Sequence, residues 1–314
     1  EKITLQAFDN YWSPRKPALA NIIYRWEPDE ALRLVDLQSG AANGIDNLGN
    51  IDFNAVQSDL SLQFFLRSPL SVAYLGMNNL SAPFDNEKVR QAVAMAVDRQ
   101  ALVDEFFYPG YEVADYFAPC ALPDACVGEP WYPYDPARAR ELLAEAGYPN
   151  GFETQLTYRD LSRGYLPQPF LVADAIRRQL KQNLGIVVHS NLMDSDPFYA
   201  ALDAGALPGL YLLGWGADYP DVSDFLDTHF GLAASQQFGN KFDDILNALQ
   251  SAASKDNPSS RRPDYEAANN LIRQHAPMLP LVHGGWLSPH SRAVAYQVVV
   301  QGAHASPLSL EDFS

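Results

Sequence analysis

The hydrophobic pattern along the chain switches repeatedly between a two-residue and a 3.6-residue period, as in a mixed α/β architecture. Residues Lys2 to Phe8 and Ile22 to Trp26 alternate as strands. Asp29 suits the N-cap of a helix whose apolar positions are Ala31, Leu32, Leu34, Val35 and Leu37, and Gly40 stops it. Leu62 to Leu66 and Val72 to Met77 read as further strands, separated by Pro69. From Pro83 onward helical spacing takes over: Val89, Ala92, Val93, Ala96 and Val97 share one face, and Asp98 caps a second helix. Asp135-Pro136 opens another, because a carboxylate accepts orphan N–H groups and proline at the first helical position loses no bond; Gly147 and Pro149 close it. A strand at Glu153 to Tyr158, a helix at Phe170 to Leu184 stopped by Gly185, and a strand at Ile186 to Leu192 predict a βαβ unit. Helices are also predicted at Pro197 to Ala204, near Lys241 to Ala253, and at Tyr265 to His275, where Pro263 should delay or kink the start.

One stretch carries candidate chemistry. Tyr211-Leu212-Leu213-Gly214-Trp215-Gly216-Ala217-Asp218-Tyr219-Pro220-Asp221 is an apolar strand ending in two glycines, an indole and a carboxylate. Such a strand end can pair with the backbone of an extended ligand while one fixed charge holds its cationic end. Binding of small amines or peptides is the expectation. Asp218 is the candidate charge, Gly214 and Gly216 offer main-chain bonds, and Trp215 offers a pocket wall, with Tyr74, Tyr211 and Tyr219 as further walls. A structural reading stands beside this one, with Trp215 filling the core and Asp218 capping a turn before Pro220.

Composition narrows the partners. The 314 residues, 47% hydrophobic, are ample for a large core and two lobes. A formal charge of −16 without a basic stripe argues against nucleic acid and anionic membrane surfaces. No run of about 18 apolar residues occurs. The first residues, Glu1-Lys2-Ile3-Thr4-Leu5, lack the features of an export signal. Cys120 and Cys126, six positions apart among Pro119, Pro123 and Pro130, are expected to form a disulfide worth about 2 kcal/mol in the loop-entropy model; free thiols are the alternative. A bridge would imply an oxidising compartment.

No enzyme is expected. There is no Gly-x-Ser-x-Gly elbow, and His283-Gly284-Gly285-Trp286 has no nucleophile to serve. Gly214-Trp215-Gly216 lacks the third glycine of a dinucleotide motif, and Asp194-Ser195-Asp196 lacks the other ligands of a calcium loop. The six histidines, His189, His229, His275, His283, His290 and His304, show no paired metal spacing, so no metal and no cofactor is expected.

Several motifs in order give a resemblance. Asp9-Asn10-Tyr11-Trp12, Leu37-Gln38-Ser39-Gly40, Tyr74-Leu75-Gly76-Met77-Asn78-Asn79 and Pro83-Phe84-Asp85 through Val89-Arg90-Gln91-Ala92 resemble extracellular solute-binding proteins of family 5. So do Tyr134-Asp135-Pro136 through Ala146-Gly147-Tyr148-Pro149, Gly214 through Asp221, and Ala276-Pro277-Met278-Leu279-Pro280-Leu281. The resemblance implies an α/β, periplasmic-binding-protein-like two-lobed clamshell that binds peptides or related free-amine solutes in an interlobe cleft. It implies delivery to ABC importer permease subunits, a periplasmic or extracellular location with or without a lipid anchor, and a monomer. Receptors for saccharides or metal chelates, and a chaperone role, are alternatives. It further implies a C-terminal portion, with a partial first lobe at 1–75 and 281–314, a whole second lobe at 76–280, and hinges at Gly76, Gly284 and Gly285. By the same resemblance Asp218 holds the peptide ammonium, and Gly214 and Gly216 pair with its main chain. Leu212 stands where some relatives place an arginine for the peptide carboxylate; Arg159 and Arg163 are candidate replacements, although loop arginines are usually solvated.

Overall fold

A computed structural model describes residues 1–12, 14, 19–45, 56, 58, 59, 62–65, 70–107, 110–239, 242–284 and 294–297. The chain divides into two compact units, Glu1–Arg67 with Arg292–Ser314, and Ser68–Ser291.

In the first unit, β1 (Lys2–Gln6) and β2 (Asn21–Arg25) form an antiparallel hairpin. Helix α1 (Glu30–Ser39) begins where expected, because the Asp29 carboxylate accepts the N–H groups of Ala31 and Leu32. Gly40 ends it at φ 76°. Of the apolar face predicted for α1 only Leu34 and Leu37 are buried, with Ile45 and Val56, while Leu32 and Val35 are exposed. A small antiparallel sheet has the order β3 (Gly44–Ile45), β11 (Val294–Gln297), β4 (Leu62–Phe65). Pro69, Gly285, His290 and His304 lie outside the described residues.

The second unit is built on a six-stranded sheet. Its order is β6 (Glu112–Val113), β10 (Met278–His283), β5 (Ser71–Met77), β9 (Leu210–Gly216), β7 (Glu153–Tyr158), β8 (Val187–Leu192). Every residue of β5 and β10 is buried, so both read as continuous apolar runs without alternation. This unit begins earlier and ends later than the sequence boundaries because β5 and β10 are interior strands of its sheet. Gly76 accordingly serves packing: a Cβ there would meet the Tyr211 ring at 2.0 Å.

The helices follow their caps. Asn86 caps α2 (Glu87–Ala96), Asp98 caps α3 (Arg99–Phe106), and Asp135 caps α4 (Pro136–Glu145) through the N–H groups of Ala137 and Arg138. Helix α5 (Pro169–Leu184) joins β7 to the parallel β8, the βαβ unit read from the sequence. Then come α6 (Ser195–Asp203), α7 (Ser223–Phe230), α8 (Asp243–Ala253) and α9 (Pro258–His275). Two findings depart from expectation. Helix α7 carries no sequence signal, being eight residues long with no side-chain cap bond. Helix α9 starts at Pro258 behind an Asn257 cap and runs through Pro263, rather than starting near Tyr265, because a capped first turn with proline at N1 nucleates it early.

Cys120 and Cys126 are disulfide-bonded. No helix among the described residues is long and apolar enough to cross a membrane.

Candidate ligand-binding strand edge

Strand β9 is the centre of the site because it is paired unequally on its two sides. Toward β5 it is bonded along its whole length, from Met77 opposite Leu210 to Ser71 opposite Gly216. Toward β7 only Leu210 and Tyr211 are paired, with Leu156 and Thr157. Among the described residues no strand covers that side of Leu212 to Gly216. Leu212, Leu213 and Gly214 are buried there, so the part of this edge open to an added strand, through main-chain bonds, is Trp215 and Gly216.

The turn beyond this edge is held by Asp224, a residue that the sequence pattern did not single out. It is only 2% exposed, in the first turn of α7. Its Oδ2 accepts the Asp218 N–H at 2.8 Å and the Trp215 indole N–H at 3.3 Å. One carboxylate thus fixes both the backbone that carries Asp218 and the orientation of Trp215. Burial, opposed by these donors, raises the Asp224 carboxyl above its usual range. Asp221 is fixed in turn by Arg261 of α9, at 3.0 Å.

Asp218 is exposed, and its carboxylate has no hydrogen-bond or ion-pair partner among the described residues. Trp215 is half-buried, packed against the core with its ring edge-on to His229 at 5.2 Å. Burial lowers that histidine to about 4, so it is neutral at pH 7. Tyr219 is 49% exposed. Gly216 is open, since a Cβ there would meet nothing within 4 Å. Gly214 is crowded, with the Tyr165 ring 2.2 Å from the same position, and the Arg163–Leu166 turn places that ring. The structure therefore brings Gly214, Trp215, Gly216, Asp218 and Tyr219 together on one strand end.

Tyr74 and Tyr211 are corrections. Both are fully buried, with hydroxyls donating to the Gln237 side chain at 2.8 Å and the Gln237 carbonyl at 2.9 Å. They pack on Phe117, Phe198 and Phe238 and offer no wall to a ligand. Arg159 is another correction: it is 8% exposed rather than solvated, its guanidinium stacked on Tyr199 at 4.5 Å and Phe198 at 5.1 Å. Arg163 is partly exposed.

Two concavities among the described residues lie away from this strand end. One beside His229, lined also by Phe230 and Phe238, has a volume of about 20 Å³, enough for one water molecule. A groove of about 250 Å³ lies by Arg140, Lys181 and Gly185, and neither concavity includes Asp218 or Trp215. No cluster of three or more metal-ligating side chains occurs among the described residues.

Known proteins resemble this chain in sequence and in fold. The sequence model described as "Bacterial extracellular solute-binding proteins, family 5 Middle" matches residues 1–237. The chain is 31% identical over 308 residues to heme-binding protein A of Haemophilus influenzae, covering 94% of this chain and 54% of that protein. It is 30% identical over 301 residues to the glutathione-binding protein GsiB of Escherichia coli, covering 92% of this chain and 57% of that one. Among solved structures, a dipeptide-binding protein from Pseudoalteromonas in complex with Met-Leu superposes with a TM-score of 0.79 at 23% identity, over 98% of this chain and 59% of that chain. The chain thus spans little more than half the length of these proteins. It has their mixed α/β fold. Members of this family are binding proteins of transporters, found in the periplasm or outside the cell. By motif order, fold and identity, the chain belongs to the family 5 bacterial extracellular solute-binding proteins.

Proposed function

We propose that this chain forms part of the substrate receptor of an ABC importer, acting outside the cytoplasm, and that it captures short peptides or related solutes with a free amine for a membrane permease. The observation that supports this reading is the juxtaposition of the partly exposed end of β9, Trp215 and Gly216, with the Asp218 carboxylate, which has no partner among the described residues. Main-chain bonds to the edge are indifferent to side chains, and the ammonium sets the register. Relatives named for glutathione and for dipeptides support the reading, since both ligand types carry a free amine.

The test is a comparison of ligands. Asp218→Asn should weaken binding of trialanine about 10- to 150-fold while leaving N-acetyl-trialanine nearly unchanged, because only the first offers an ammonium. Calorimetric titration of both peptides into both proteins reads the difference. Equal losses for the two peptides would end the ammonium role of Asp218.

A further inference from the structure

We infer that the groove between α4 and the end of α5 is a second ligand site, one that takes a phosphate group, at the end of the sheet remote from Asp218. The inference does not depend on what β9 binds.

The groove has a volume of about 250 Å³. That is more than ten times the roughly 15 Å³ that one water molecule needs. Its walls are held by the fold. The turn at Asn150 and Gly151, just before β7, lies so close to the end of α5 that a Cβ on Gly151 would stand 2.5 Å from the Gly185 carbonyl carbon. Asn183 is 8% exposed, and its side chain donates to the Ala96 carbonyl at 2.8 Å and the Tyr134 hydroxyl at 3.1 Å. Arg140 of α4 donates in turn to the Asn183 carbonyl at 3.3 Å, which ties one guanidinium nitrogen to the wall and leaves the other N–H groups to a ligand.

Charge sets this groove apart on a chain of formal charge −16. Arg140 and Lys181 line it, and no acidic residue does. Neither cation has an ion-pair partner among the described residues, whereas other basic residues of the same two helices are neutralised. Arg138 pairs with Glu141 at 2.8 Å, and Arg177 and Arg178 pair with Asp174 at 2.6 and 3.1 Å. The carbonyls that end α5 attract cations, but a helix end carries only about half a negative charge against the two positive charges gathered here.

Two charges on different helices around one hollow call for an anion with oxygens pointing in more than one direction. A tetrahedral phosphate has them: the planar fork of Arg140 suits one edge, and the Lys181 ammonium, a point charge, suits another. Asn150 and Gln182 line the same groove with amides able to donate. Strand β9 runs parallel to β7, so Asp218 follows the C-terminal strand ends while Asn150 and Gly185 precede the starts of β7 and β8. A phosphate and a peptide can therefore be held at once.

Glycerol 3-phosphate and inorganic phosphate, titrated calorimetrically into the intact protein at low ionic strength, are the solute probes. Both should bind, and Arg140→Gln and Lys181→Gln should each weaken them about 5- to 10-fold. Arg178→Gln removes a paired cation of α5 outside the groove and should leave both affinities unchanged, as should Asp218→Asn. Lys181 makes no bond within the fold among the described residues, so Lys181→Gln keeps the test open should Arg140→Gln fail to fold. A lipid headgroup offers the same chemistry, and vesicles of phosphatidylglycerol in phosphatidylcholine separate the sources. Flotation with these vesicles, lost in Lys181→Gln, names the lipid; solute binding without flotation names a free phosphate ester. Binding of neither solutes nor vesicles overturns the inference. So does binding indifferent to both groove variants, or an equal loss in Arg178→Gln, which would report net charge alone.

Discussion

The carboxylate of Asp224 accepts the backbone N–H of Asp218 at 2.8 Å, so the residue that offers its charge outward is held in place by one that keeps its charge inside. The same oxygen receives the Trp215 indole N–H at 3.3 Å. Asp224→Ala leaves both donors without this acceptor, and we expect a loss of about 2–4 kcal/mol in urea unfolding. Affinity should fall as well, although Asp224 does not present its charge to a ligand. Asp224→Asn retains an accepting oxygen and should lose less than half as much. A variant Asp224→Ala as stable as the wild type would show that the strand end is positioned by other contacts.

Gly214 and Gly216 make a controlled pair, two residues apart on one strand with opposite surroundings. A methyl on Gly214 would stand 2.2 Å from the Tyr165 ring and 2.5 Å from the Val72 carbonyl oxygen, and the second obstacle is backbone that cannot swing aside. Gly214→Ala should therefore cost about 1–3 kcal/mol. Gly216 has nothing within 4 Å of that position, so Gly216→Ala should stay within about 0.5 kcal/mol of the wild type. Gly216→Val should fold equally well and bind trialanine poorly, because its side chain fills the space over the strand end. Unaltered binding by Gly216→Val would place the ligand elsewhere.

Asp227 and His229 give α7 two opposed pH dependences. Burial first, then the charge of Asp221, raises the Asp227 carboxyl from 3.8 to about 6. The native state thus holds more protons than the unfolded chain between those values, and the stability Asp227 contributes is present below about pH 4 and lost as pH rises through about 6. Burial lowers His229 from 6.5 to about 4, and does the same to His283. Here the unfolded chain holds more protons, so stability is present above pH 6.5 and lost as pH falls toward 4. Two histidines outweigh one aspartate, and net destabilisation on acidification is expected over this window. Asp227→Asn should raise stability at pH 7 by an amount of order 1–3 kcal/mol and steepen the acid loss. Urea midpoints measured across the window test the sign, and an Asp227→Asn variant less stable than the wild type at pH 7 would contradict it.

The elements were legible where local chemistry decides them. Asp29, Asp98 and Asp135 each mark a helix start, and each accepts the backbone N–H groups expected of a cap. The strand end at Gly214 to Asp218 was legible too, because its glycines, indole and carboxylate are consecutive. Facing partners were not. Tyr74 and Tyr211 lie on strands buried along nearly their whole length, so no alternation told an inward ring from one open to a ligand. Asp224 is one of four aspartates in the ten residues from Asp218 to Asp227, and only the approach of α7 to β9 separates the buried carboxylate from the exposed one. Arg159 read as a loop residue because Phe198 and Tyr199, which enclose it, are almost forty positions away.

The bridge between Cys120 and Cys126 closes a loop that α9 also holds, and the two restraints act on different states of the chain. Asn269 donates to the carbonyls of Ala125 at 3.0 Å and Val127 at 3.1 Å, and Asn270 accepts the Glu129 N–H at 2.7 Å. Arg262 adds an ion pair to Asp124 at 3.0 Å, but its side chain is 60% exposed and solvent screens it. These bonds belong to the folded state, whereas a disulfide across so short a loop acts chiefly by restricting the unfolded chain. Replacing both cysteines by serine should therefore cost about 2 kcal/mol without displacing the loop. Asn269→Ala should cost about 1–3 kcal/mol, since two buried carbonyls lose their donor. Because one change acts on the unfolded chain and the other on the native contacts, their sum should match the combined variant within about 0.5 kcal/mol. A coupling clearly larger than this, measured by urea unfolding of the four proteins, would mean that the bridge also holds the folded loop against α9.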